Sequence, residues 1–206
     1  MPKIYVVHYE EDPEAKVQFR LDSLCKWYDH ISFTRNLIIS TLAGLDDADT
    51  IFARLIKNQE DIGAMLEPYY GEESATSFSD LLGIHNTIAR EIIENCRDNN
   101  TTSDAVDRAQ INVDDIATYL DSLDSVHWCK DIIIESFIGH IDYSIAEITA
   151  RLDGDWVADI TAYDDAHTSI SAFADVFACG IVNSFPEKFI TYGEYNFPIM
   201  AAQKKK

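Results

Sequence analysis

Glycine and proline are scarce in this chain, 8 and 5 of 206 residues, and most mark breaks in the apolar pattern. So few glycines leave little material for phosphate-cradling loops, and no P-loop or Gly-x-Gly-x-x-Gly after a strand occurs. Gly-x-Ser-x-Gly is missing too, so no nucleophile motif announces an enzyme. Cysteine is limited to Cys25, Cys96, Cys129 and Cys179, widely spaced and without Cys-x-x-Cys. That spacing excludes a zinc framework or a disulfide scaffold and suggests reduced core thiols. Basic residues are outnumbered, 16 against 36 acids, for a formal charge of −20. Such a field repels phosphate backbones and anionic lipid, which excludes nucleic-acid partners and favours a cation or a basic partner. No apolar run reaches the roughly 18 to 20 residues of a membrane span, so no membrane insertion is expected. The first residues, Met1 to Glu11, lack the charged start and cleavage site of a signal peptide. The expected location is cytoplasmic, or inside a virus particle made there.

What the chain does have is hydrophobic content, 47%, arranged at helical spacing. It predicts an all-α, up-and-down bundle of about six helices in residues 21–189, flanked by extended arms at 1–20 and 190–206. The first helix, about 21–43, places Leu24, Trp27, Ile31, Ile38 and Leu42 near one face and stops at Gly44. The second, about 49–67, uses Ile51, Leu55, Ile62, Met65 and Leu66 and is broken at Pro68. A third carries Phe78, Leu82, His85, Ile88 and Ile92 to a polar cluster at Asp98–Ser103, which suits a turn. A fourth spans about 104–123, a fifth 126–152, and a sixth continues to Phe185 with a weak point at Gly180. Long helices joined by short turns must be antiparallel neighbours, giving three hairpins. In the arms, Ile4–Tyr9 and Ile190–Phe197 have strand-like composition, which could form a ribbon or lie on a neighbouring subunit.

The chain also repeats. His30, His85 and His140 are spaced by 55 residues, and Arg35 superposes on Arg90. Antiparallel helices rise equally, about 1.5 Å per residue, so residues equidistant from a turn share a height. His30 lies 15 residues before Leu45 and Asp61 lies 16 after it; His85 and Asp115 are each 15 from Asn100. His140 is 14 before Gly154, with Asp164, Asp165 and His167 following at 10, 11 and 13. Three imidazoles should therefore meet at one level, opposite acidic groups. Two readings follow. Each histidine could be a core residue bonded to its own hairpin's aspartate. Alternatively His30, His85 and His140, with Asp61 and Asp115, could ligate a divalent ion such as iron, manganese or zinc. Arg35 and Arg90 could support that site, hold an anion, or pair with the surplus carboxylates.

Several strings carry a resemblance: His30-Ile-Ser-Phe-Thr-Arg35, Arg54-Leu-Ile-Lys-Asn-Gln-Glu-Asp-Ile-Gly63 and Pro68-Tyr-Tyr-Gly71, in that order. They are similar to a family of small, functionally uncharacterised bacterial helical proteins that read His-x-x-Trp-Thr-Arg, Asn-x-x-Asp-Ile-Gly and Pro-x-Tyr-Gly. This chain carries Phe33 where that family has tryptophan. The resemblance implies a helical fold and maps the family's histidines onto His30, His85 and His140, but implies no reaction. The functional expectation is a non-catalytic binding or assembly protein, self-associating or meeting a protein partner through its arms. A metal-binding bundle is the alternative.

Overall fold

The structure is a computed structural model describing residues 7–11 and 13–194, with side chains described for 14–190. Its elements are β1 (Val7–Glu11), α1 (Pro13–Ala43), α2 (Ala48–Gly63), α3 (Glu67–Tyr70), α4 (Glu72–Arg97), α5 (Ser103–Leu123), α6 (Lys130–Asp153), α7 (Trp156–Ser184) and β2 (Ile190–Glu194). A 3-10 turn, Pro186–Phe189, joins α7 to β2. The all-α bundle of three hairpins, α1/α2, α4/α5 and α6/α7, is present as expected. The six long helices close into a ring, each packing on the next and α7 returning to α1, while α4 also reaches across to α1 and α6. None of the described helices is long and apolar enough to cross a membrane.

The three hairpin turns are built alike. Gly44, Asn99 and Gly154, again 55 residues apart, take φ of 65°, 57° and 72°. In each, the left-handed residue donates its N–H three residues back and its successor donates five back: Leu45 to Ser40, Asn100 to Asn95 and Asp155 to Ala150, at 2.8–2.9 Å. This paired closure satisfies carbonyls that a helix end leaves open. Glycine and asparagine tolerate that backbone at low cost, so the period of 55 is written into turn chemistry.

The repeat continues along the helices. Asn58 on α2 donates to the Lys26 carbonyl at 3.0 Å, and Asn112 on α5 donates to that of Leu81 at 3.1 Å. On α7, Ser169 donates to the Ser136 carbonyl at 3.3 Å. Lys26, Leu81 and Ser136 each precede their hairpin's histidine by four residues. The third donor lies one turn later than the repeat requires, because Ala166 stands where an amide would be and alanine has nothing to donate.

Some expectations are corrected. The helix predicted from residue 21 opens at Pro13, whose fixed φ and missing N–H suit a first turn, so 13–20 is not an extended arm. The second helix stops at Gly63 rather than near 67. A Cβ there would lie 2.7 Å from the Ala75 carbonyl and collide with Ser79, so glycine permits the close crossing of α2 and α4. Gly180 is no weak point: α7 runs through it unbroken, and its bare Cα admits the Trp128 ring, 2.9 Å from where a Cβ would sit. All four cysteines are free, yet Cys25 and Cys129 are exposed, so they are not core thiols. The described parts of the arms pair with each other as an antiparallel ribbon, Val7 opposite Glu194 and Glu11 opposite Ile190. Ile4 to Val6 and Tyr195 to Phe197 lie outside the described residues.

Below the histidine level, toward the chain ends, the core is aromatic. Trp27 makes edge contacts with Phe137, Phe173 and Phe177 at centroid distances of 6.1, 4.9 and 5.9 Å. Phe78 stacks on Phe177, and Trp128 meets the same ring edge-on. Above it, toward the turns, the core is aliphatic, with Ile38, Ile92, Ile93 and Ile148 buried.

Candidate functional site

His30, His85 and His140 do converge. They come from α1, α4 and α6, are 2–3% exposed, and their rings lie 5.2 Å (His30 to His140) and 6.0 Å (His85 to His140) apart. Burial depresses all three basicities: His85 falls to about 4 and His140 to about 3, while His30 is also pushed down by the neighbouring imidazoles. At neutral pH the layer is uncharged.

Hydrogen-bond direction in this layer follows from its anchors. Gln59 Nε2 donates to the Leu55 carbonyl, which can only accept, so the amide nitrogen faces inward and meets His30 Nδ1 at 3.2 Å. His30 Nδ1 must then be the acceptor, which puts the ring proton on Nε2. That Nε2 lies 3.2 Å from His140 Nε2 and donates to it. The His140 proton is thereby confined to Nδ1, which has no partner. On the other side, the Asn112 side chain lies beside His85 and favours a proton on that ring, while His85 Nδ1 is without a partner.

The groups opposite the histidines are thus amides, not the carboxylates expected. Asp61 points outward to Lys57 at 2.9 Å and Arg54 at 4.0 Å. Asp115 is exposed on the outer wall of α5. Equal rise fixes height but not direction around a helix, at about 100° per residue. Gln59, two residues from Asp61, and Asn112, three from Asp115, face the interior instead. His167 stacks on Tyr28, 4.4 Å away, outside the layer. The signal for Gln59 and Asn112 was present as uncharged polar residues interrupting the apolar stripes between Leu55 and Ile62 and between Ala109 and Ile116.

Arg35 and Arg90 do not meet. Arg35 is held by Glu147 at 2.7 Å and by both oxygens of Asp159 at 3.0 and 3.2 Å, and lies over the Tyr163 ring. Arg151 adds a contact to Asp159 at 2.7 Å. Burial raises Glu147 to about 7 against the pull of Arg35. The network ties α1, α6 and α7 together, and its carboxylates escaped sequence reading because helical periodicity does not reveal which charges are buried. Arg90 lies nearer the surface with Glu94 and Asp49.

Directly above the histidines is an opening between α1, α4, α5 and α6, with about 30 Å³ available to the centre of a water-sized molecule. Its walls include Ile38, Ile92, Ile93 and Ile148. Four of its lining residues carry a buried polar atom without a hydrogen-bond partner: Thr34 Oγ1, His85 Nδ1, Asn86 Nδ2 and His140 Nδ1. Unpaired buried polar atoms cost about 1–3 kcal/mol each, so four around one space is a concentrated expense for a fold that gains nothing from it.

Two other arrangements bear on chemistry. Ser184, His127 and Asp124 lie together, but Ser184 and His127 Nδ1 both bond the same Asp124 oxygen at 2.8 Å. A base must use its free nitrogen on the nucleophile. This cluster instead clamps the α5–α6 loop to the end of α7, and its hydrogen bonds, first that from His127, hold Asp124 down at about 2. Among the described residues, no three of His, Cys, Asp and Glu are arranged to hold a metal ion together. Compared with known proteins, the chain matches no family model, no curated protein and no solved structure.

Proposed function

We propose that this protein is a non-catalytic binding protein whose site is the small opening above the histidine layer. The observation that carries this reading is the set of four partnerless polar atoms on Thr34, His85, Asn86 and His140 around one apolar-walled space. Few polar groups set among apolar walls is the usual make-up of a small-molecule site. The ligand is small and uncharged. It carries a hydrogen-bond acceptor for the His140 Nδ1 proton and the Asn86 amide, and it sets its carbon atoms against the isoleucines. The test is spectroscopic: isoleucine methyl resonances recorded during titration with small amides and alcohols should shift saturably at Ile92, Ile93 and Ile148. Unchanged methyl resonances across that series would overturn the reading and leave the space to water.

A second reading has one observation behind it. Two imidazole nitrogens on one tetrahedral ion lie roughly 3.3 Å apart when each bond is about 2.0–2.1 Å. The His30 and His140 Nε2 atoms lie 3.2 Å apart. An ion there would need His30 and His140 to surrender their shared proton and would find no carboxylate, since Asp61 and Asp115 face outward. Elemental analysis of protein purified without chelator separates the readings, a stoichiometric transition metal favouring the second.

A further inference from the structure

At the turn end of the bundle the third hairpin departs from the other two. The second helix of each hairpin opens differently: α2 on Ala48-Asp49, α5 on Ser103-Asp104 and α7 on Trp156-Val157. Asp49 and Asp104 suit a first helical turn, where a carboxylate meets the positive end of the helix dipole. Trp156 and Val157 have no such role, and they are 62% and 79% exposed. Two hairpins with the same turn chemistry open on small or polar residues here, so the fold does not require apolar ones in the third.

The strip continues along α7. Val157, Ile160 and Asp164 follow at intervals of three and four residues and share one outward face, with Trp156 one turn before Ile160. Ile160 is 48% exposed, and Leu152, near the end of α6, is 50% exposed. Four of the eleven exposed large apolar side chains among the described residues thus fall within nine positions, and no other stretch of that length carries more than two. Trp156 is also held in place: the Arg151 guanidinium lies 5.6 Å from its ring centre, and Arg151 is fixed in turn by Asp159 at 2.7 Å. A pre-positioned tryptophan is the kind of side chain that dominates binding energy at protein interfaces. Exposed carboxylates bracket the strip, Asp153 and Asp155 at the turn and Asp164 one turn beyond Ile160.

We propose that this strip receives residues 195–206 of a second copy of the chain, Phe197, Ile199 and Met200 packing on Trp156, Val157 and Ile160, and Lys204, Lys205 and Lys206 reaching the flanking carboxylates. That segment joins three large apolar residues to the only run of basic residues in a chain of charge −20. An apolar strip edged by acid is its complement. A copy's own strip is out of reach of its tail. The length of α7 separates the two, about 43 Å at about 1.5 Å per residue. Residues 195–206 span about 40 Å when fully extended, which leaves none of them to lie along the strip. The contact is therefore made head to tail between copies, and every bound copy still offers a free tail or a free strip, so association is open-ended. It is independent of the opening above the histidines.

The full chain is followed by light scattering as its concentration rises, and by the indole N–H resonances of Trp27, Trp128 and Trp156 during titration with a synthetic peptide of residues 195–206. The mass should climb above 23.3 kDa with concentration and return to it in excess peptide. The peptide should shift the Trp156 resonance saturably and leave those of the buried Trp27 and Trp128 unmoved. V157S/I160S, two changes on the surface, should abolish both responses with the circular dichroism unchanged. K204E/K205E/K206E should abolish self-association, while the wild-type peptide still binds that variant. A monomeric mass at every concentration would overturn the proposal. So would association that survives either set of substitutions, or a peptide that leaves Trp156 unmoved. None of these outcomes touches the internal opening, whose reporters are Ile92, Ile93 and Ile148.

Discussion

The two halves of the core, divided by the histidine layer, are packed to different standards. On the chain-end side, Trp27, Phe78, Phe137, Phe173 and Phe177 meet edge to face or stacked and fill the bundle, each no more than 1% exposed. On the turn side, isoleucines and small residues such as Ala89, Ala109 and Ser144 surround a space, and four of the residues lining it carry an unpaired buried polar atom, against Trp27 Nε1 in the aromatic half. Native interiors are close-packed, so a well-filled half beside an underfilled one points to a difference of purpose rather than of quality. One half secures the fold; the other keeps room.

The sharpest way to break this comparison is to remove mass from the filled half. Trp27→Ala should cost about 3–5 kcal/mol in urea unfolding, whereas Ile92→Val on the turn side should cost about 0.5–1.5. Because these remove different volumes, the matched pair is Ile133→Val in the filled half, which should cost more than Ile92→Val; equal losses for that pair would mean the halves do not differ. A comparable effect belongs to Arg35→Met, which leaves Glu147 and Asp159 buried with less positive charge and should cost roughly 3–5 kcal/mol. Here the expected rescue is partial restoration when Asp159→Asn is added, read as a rise in Tm.

Acidification acts on the layer between the halves. The three histidines have folded pKa values below their ordinary 6.5, so the unfolded chain takes up three protons first, and stability falls as pH drops below about 6.5. Glu147 acts in the opposite sense: raised to about 7, it takes its proton in the folded state first, adding stability as pH falls from 7 toward 4.5. At pH 6.5 the unfolded histidines are only half protonated, so the loss starts small and steepens as pH falls, reaching roughly 3 kcal/mol per unit near pH 5, where three protons less one leave about two at about 1.4 kcal/mol per proton per unit. Urea denaturation at pH 7, 6 and 5 measures it, and a flat profile would show the imidazoles are not desolvated. The smallest effect should come from Thr34→Val. It removes an unpartnered hydroxyl at constant shape and should raise stability by about 1 kcal/mol, seen as a higher urea midpoint.

Much of this was legible in the sequence. The period of 55 is real because it rests on backbone chemistry: a left-handed residue after each histidine helix, and a histidine 14 residues before each such residue. The meeting of the three imidazoles followed from equal helical rise. What rise could not supply was azimuth, which is why Asp61 and Asp115 were expected where Gln59 and Asn112 stand. Nor could periodicity distinguish Glu147 and Asp159, buried and paired, from the many solvated acids of the same helices. The opening is a property of what neighbouring helices fail to fill, and a single sequence read one helix at a time does not contain that information.

The missing amide at Ala166 has a consequence for counting. Three hairpins laid down to one plan would present three equivalent crevices and saturate with three equal ligands. With alanine in the last copy and the tie between its two helices moved to Ser169, the three hairpins lose their equivalence, and a ligand of the opening above the histidines should bind at one per chain rather than three.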